Sequence, residues 1–148
     1  MRAVGGIIAG LIVAMVVTIL VGIIGLRFTF SVPSNVDAGN AQALLDTLGG
    51  MSAAAQLTLA AAWLLGGLAG AWVARRIAGA GWPAWIVTLL VAAYVLLNTL
   101  ILPMPGWMQV VWIAAPLIGG LIGNHLGRGT AAPAAATTDE AGDAPAAP

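Results

Sequence analysis

The chain has 148 residues, 61% of them hydrophobic and 7% charged, with five arginines, five carboxylates and a formal net charge of zero. A soluble domain carries roughly 25% charged residues, so lipid is the solvent for most of this surface, and the balanced charge leaves no basic footprint for nucleic acid. Cysteine and lysine are both missing, which excludes disulfides, thiol nucleophiles, cysteine metal sites and Schiff-base chemistry.

Four apolar runs, 3–26, 53–74, 82–102 and 107–126, contain no Asp, Glu, Lys or Arg. Each holds about 20 residues or more, enough at about 1.5 Å per residue to cross a hydrocarbon layer of about 30 Å. A backbone in lipid must bond to itself, so runs of this length are helices. The first exceeds the apolar core of a signal peptide and exits into Arg27-Phe28-Thr29-Phe30, which is no cleavage pattern. It is read as a retained span.

Segment 27–50 is the sizeable connection. Within it Ala41, Leu44, Leu45 and Leu48 recur at helical spacing, with Asn40 as an N-cap and Gly49 as a stop. The pattern predicts a short amphipathic helix on the outer surface; the alternative is that these residues are the first turns of a longer second span. The inner loop is 75–81. Pro83 suits a first helical turn, and Pro103 and Pro105 end the third span in a tight turn. Residues 129–148 are rich in Ala and Pro, carry Asp139, Glu140 and Asp143, and cannot bury a core; they are expected to be a disordered acidic tail.

Arginine placement orients the bundle. With the N-terminus inside, Arg2, Arg75, Arg76 and Arg128 are cytoplasmic and Arg27 alone is outside. Trp82 and Trp85 then mark the inner boundary, and Trp107, Phe28 and Phe30 the outer one. The expected fold is therefore an all-α, integral membrane four-helix bundle with both termini in the cytoplasm, and the Ala- and Gly-rich composition fits a bacterial inner membrane.

Small residues recur every fourth position in three spans. The first has Gly6, Gly10, Ala14, Thr18 and Gly22; the second has Thr58, Ala62, Gly66, Gly70 and Ala74; the fourth has Ala115, Gly119, Gly123 and Gly127. Spacing of four keeps residues near one face, and small side chains there let backbones approach where lipid removes the hydrophobic drive. Glycine is also common throughout this chain, and such pairs arise by chance. The third span has no glycine between Trp82 and Leu102. Helices one, two and four are expected to form a close group, with helix three further off.

Residues 64–70 (LLGGLAG) also match 117–123 (LIGGLIG), and the same offset aligns Gln56 with Gln109 and Arg75 with Arg128. A parallel duplication of a helical hairpin and low-complexity coincidence both account for this.

Chemistry-bearing residues are scattered. His125 lies at the inner end of the last span, whereas Asp37, Asp46, Ser31 and Ser34 lie in the outer loop, about 30 Å away across the bilayer. A lone histidine gives one metal ligand. Ion-coupled transport marks itself with an ionisable residue inside the membrane, and the spans have none. Small multidrug transporters are of similar size but need a glutamate in the first span, which is absent here. The expectation is no catalytic, cofactor or metal site. Among intramembrane polar groups Asn98 is expected to make an interhelical hydrogen bond, and Pro116 to bend the fourth span by leaving the Trp112 carbonyl unpaired.

The stretch from Trp63 to Arg76 (WLLGGLAGAWVARR) and Asn98 followed by 102–107 (LPMPGW) resemble a group of small four-span proteins of bacterial inner membranes. The resemblance covers helix one to Arg128 and implies a four-span fold. It brings no assigned activity and no functional residue. The sequence thus points to a non-enzymatic membrane protein working through helix–helix association, with a second copy or another membrane protein as partner. The alternative is a passive channel or small-solute transporter; an enzyme acting on lipid lacks every usual residue set.

Overall fold

The computed structural model describes residues 2–29, 50–101 and 106–130. Among them are four α-helices: α1 Arg2–Thr29, α2 Ala53–Ala78, α3 Trp82–Ile101 and α4 Gly106–Leu126, followed by a 3-10 turn, Gly127–Thr130. All four are long and apolar enough to cross a membrane, which marks a multi-pass membrane protein. The expected surface helix at 40–48, the Pro103–Pro105 turn and residues 131–148 lie outside the described residues.

Two helices run past their apolar cores. α1 continues through Arg27, whose charge suits the negative end of the helix dipole, and Thr29 Oγ1 donates to the Gly25 carbonyl at 2.9 Å. α2 begins where Ser52 turns extended (φ −62°, ψ 153°) and its hydroxyl accepts the Ala55 N–H at 3.3 Å. That cap starts α2 at Ala53, so residues 50–52 are not its first turns. At the other end α2 takes in Arg75 and Arg76 and closes at Gly79. Gly79 has φ +68°, and its N–H bonds the Arg75 carbonyl at 2.9 Å, a left-handed cap that glycine adopts without strain. The expected loop 75–81 is therefore only 79–81, because helix ends are set by capping and not by loss of hydropathy.

α1 and α2 are antiparallel along most of their length. Gly6 meets Ala74 and Ala78, Gly10 meets Gly70, Ala14 meets Gly66 and Gly70, and Gly22 meets Leu59. α4 runs parallel to α2, with Gly119 against Leu64 and Gly123 against Leu68. α3 touches all three other helices, whereas α1 and α4 do not touch. The expected trio is thus a row with α2 in the middle. α3 is not held off either: Val87 reaches Gly10, and Thr88 fills the notch at Gly120. Glycines on its neighbours, not on α3 itself, let it in.

The core is built mainly of small side chains, with Met108 and Trp112 as its large members. One cluster holds Ala14, Ala71, Ala74, Ala84, Val87 and Val91; the other holds Ala60, Val95, Met108, Trp112 and Ala115. Ile8, Ile12, Ile19, Leu20, Ile23 and Ile24 of α1 all lie exposed. Large side chains outside and small ones inside reverse the order of a water-soluble core and suit a surface wetted by hydrocarbon.

Candidate functional site

The helix crossings are the first candidate, and they are built by sterics. A Cβ at Gly10 would stand 2.7 Å from the Gly70 carbonyl oxygen, and a Cβ at Gly70 would stand 2.7 Å from the Gly10 carbonyl oxygen. A Cβ at Gly66 would come within 2.8 Å of the Ala14 carbonyl. Gly6, Gly10, Ala14, Gly22, Ala62, Gly66 and Gly70 are buried, and Thr18 is half-buried. Thr18 Oγ1 donates across this crossing to the Ala62 carbonyl at 3.4 Å. On α4, Ala115, Gly119 and Gly123 are buried; side chains at 119 and 123 would overlap the Leu64 and Leu68 carbonyls.

α2 meets its neighbours on two faces. Gly66 and Gly70 look to α1, while the adjacent Gly67 looks to α4, where a Cβ would stand 2.7 Å from the Pro116 carbonyl oxygen. Gly120 likewise leaves the Gly119–Gly123 face and meets Thr88. A stripe read every fourth residue misses both; the signal for them was the Gly-Gly doublet, since neighbours about 100° apart serve different faces. The same contacts separate the two matching segments. In a duplicated hairpin Gly119 would pack on α3 as Gly66 packs on α1, but Gly119 packs on α2. The likeness does not extend to packing.

Polar groups in the spans bond mainly to their own helices. Asn98 Nδ2 donates to the Tyr94 carbonyl at 2.8 Å, Thr88 Oγ1 to Ala84 at 2.8 Å, Thr99 Oγ1 to Leu96 at 2.8 Å and Thr58 Oγ1 to Ala54 at 2.9 Å. Among the described residues Asn98 makes no interhelical bond: the amide reaches back one turn, while Thr18 bonds across the α1–α2 crossing. α4 continues through Pro116, which is fully buried. One turn earlier the indole Nε1 of buried Trp112 has no hydrogen-bond partner among the described residues.

At mid-length of α1, α2 and α3 a cleft of about 270 Å³ is lined by Leu11, Met15, Trp63, Leu90, Val91 and Tyr94. The Trp63 and Tyr94 rings meet tilted at 52° with centroids 5.7 Å apart. The lining is apolar and offers shape and dispersion alone.

The end formed by the last turn of α2, the start of α3 and the last turn of α4 carries the charge. Arg75 Nη1 donates to Asn124 Oδ1, and the Arg75 stem lies over Gly127, where a Cβ would be 2.7 Å from Cδ. Asn124 is buried, with 5% exposure. The Arg76 guanidinium stacks on Trp72 at 4.9 Å from the ring centroid. His125 is exposed on the last turn of α4. Sequence reasoning passed over Asn124, which one letter beside a glycine stripe does not distinguish from a solvated terminus. No family model matches this chain, and no curated protein or solved structure does either.

Proposed function

We propose that this is a non-enzymatic protein of the bacterial inner membrane, N-in and C-in, that works through helix–helix association as a homo-oligomer or as the subunit of a membrane complex. The observation that carries the reading is how the polar groups are used. Asn98, Thr58, Thr88 and Thr99 spend their donors on carbonyls of their own helices, and the cleft at mid-length is apolar. This supports association over the channel reading. The glycine faces are occupied within one chain, so a partner would meet the outer apolar faces, where van der Waals fit and lipid release drive association.

The test is gentle purification from native membranes, followed by mass measurement of the intact particle and identification of what accompanies it. A defined oligomer or partner is expected. A bare monomer in every mild detergent and in nanodiscs, together with solute flux through reconstituted vesicles, would overturn the proposal in favour of a conducting protein. Reporter fusions before Arg2 and after Arg128 are both expected to read cytoplasmic.

A further inference from the structure

We propose that the arginine-rich end of the helices is a binding site for the phosphodiester headgroup of an anionic glycerophospholipid. The proposal rests on the membrane reading above but not on which way the protein faces.

Four of the five arginines share this end. Arg2 lies one turn before Gly6, which is wedged against Ala74 and Ala78. Arg75 and Arg76 occupy the last turn of α2. Arg128 follows Gly127, the residue beneath the Arg75 stem. Every Asp and Glu of the chain, at 37, 46, 139, 140 and 143, lies outside the described residues. Arg75 and Arg128 are the members of this group on which the site turns.

Depth and geometry select the ligand. Trp82 and Trp85 are exposed at 54% and 43% beside this end, and indole rings of this kind settle at headgroup level. Arg75 is half-buried, and its acceptor is the neutral amide of Asn124. That bond orients the planar fork, and no carboxylate among the described residues compensates its charge. A guanidinium fixed in this way matches a phosphate bidentately, and its ordering cost is already met by the fold. Lipid phosphate, which the surrounding leaflet supplies in excess, is the ligand; Asp139, Glu140 and Asp143 are the competing anions within the sequence, and the experiment separates the two sources.

The experiment uses the full chain in detergent micelles, after confirming that it reconstitutes into vesicles. Retention of phosphatidylglycerol and of phosphatidylcholine is measured by mass spectrometry of the intact complex, with inorganic phosphate as competitor. Phosphatidylglycerol is expected to be retained preferentially, with roughly a fivefold loss of preference for each of Arg75→Gln and Arg128→Gln. Arg75→Lys, which keeps the charge without the fork, is expected to show a loss too, and so is Asn124→Gln, which changes no charge. Arg27→Gln, at the opposite end, is expected to change nothing. Equal retention of the two lipids, an equal effect of Arg27→Gln, or displacement by millimolar inorganic phosphate would each overturn the proposal. So would lipid preference that emerges only after Asp139→Asn, Glu140→Gln and Asp143→Asn are combined, because the chain's own carboxylates would then hold the site. Failure to reconstitute at all would instead refute the membrane reading.

Discussion

The carbonyl of Pro116 on α4 sits directly over Gly67 on α2, so that any side chain at 67 would place its Cβ 2.7 Å from that oxygen. Two irregularities, a missing N–H and a missing Cβ, meet at one point of the parallel α2–α4 crossing. Gly67→Ala is expected to force the helices apart and lower stability by about 1–3 kcal/mol, the usual cost of overpacking. Gly5, where a Cβ would meet no atom of another helix within 4 Å, provides the control, and Gly5→Ala should leave unfolding in SDS unchanged. Equal effects at the two positions would show that helix propensity, not contact, governs the response.

The antiparallel crossing can be locked covalently. A Cβ at Gly25 would lie 3.7 Å from the Cβ of Thr58, close to the separation of about 3.8 Å that a disulfide requires. The chain has no cysteine of its own. Gly25→Cys with Thr58→Cys is expected to oxidise to an intramolecular bond, detectable as a shift on a non-reducing gel. Gly25→Cys with Gln109→Cys on α4 should not, because α1 and α4 do not touch. Cross-linking of the second pair would contradict the placement of α2 between them.

Thr18 and Asn98 are expected to respond in opposite order to their hydrogen-bonding capacity. Thr18→Val removes a bond between helices, which in membranes averages about 0.6 kcal/mol. Asn98→Leu removes a bond to its own helix and takes an amide out of hydrocarbon, so it should be neutral or stabilising. Reversible unfolding of the two variants in mixed micelles decides this, and a larger loss from Asn98→Leu would reject it.

The Trp112 indole, unpaired among the described residues, gives a comparison with Met108, which is 1% exposed in the same cluster. Met108→Ala is expected to cost about 2–5 kcal/mol as a core truncation. In Trp112→Phe the lost volume is offset by removal of a buried donor whose desolvation costs about 1–3 kcal/mol, so the net change should be the smaller of the two. Thermal unfolding monitored by helical circular dichroism distinguishes them; a Trp112→Phe loss equal to that of Met108→Ala would mean the N–H has a partner after all.

The spans were legible in the sequence because hydrocarbon imposes a long-range rule that composition alone reveals. Their ends were less so. Arg75 and Arg76 read as loop by hydropathy, yet they belong to α2 because Gly79 supplies the left-handed cap. Partner choice was not legible. The spacing of Gly66, Gly70, Gly119 and Gly123 marks faces but not which helix each face meets, and Thr88 reaches Gly120 only because α3 lies against α4. The Asn98 bond was not legible for a related reason: an amide in a helix can turn back to the carbonyl four residues earlier, and periodicity carries no sign of that choice.

The separation of α1 from α4 has a consequence for biogenesis. The contacts of α1 are to α2 and α3 alone, and its glycine-lined contact with α2 is between consecutive spans. That hairpin can therefore close in the bilayer while the ribosome is still making the second half of the chain. The later hairpin then arrives at a finished surface, where Gly67 and the carbonyls of Leu64 and Leu68 await α4. A defect at Gly10 or Gly70 is therefore expected to act on the first hairpin, before its partner helices exist.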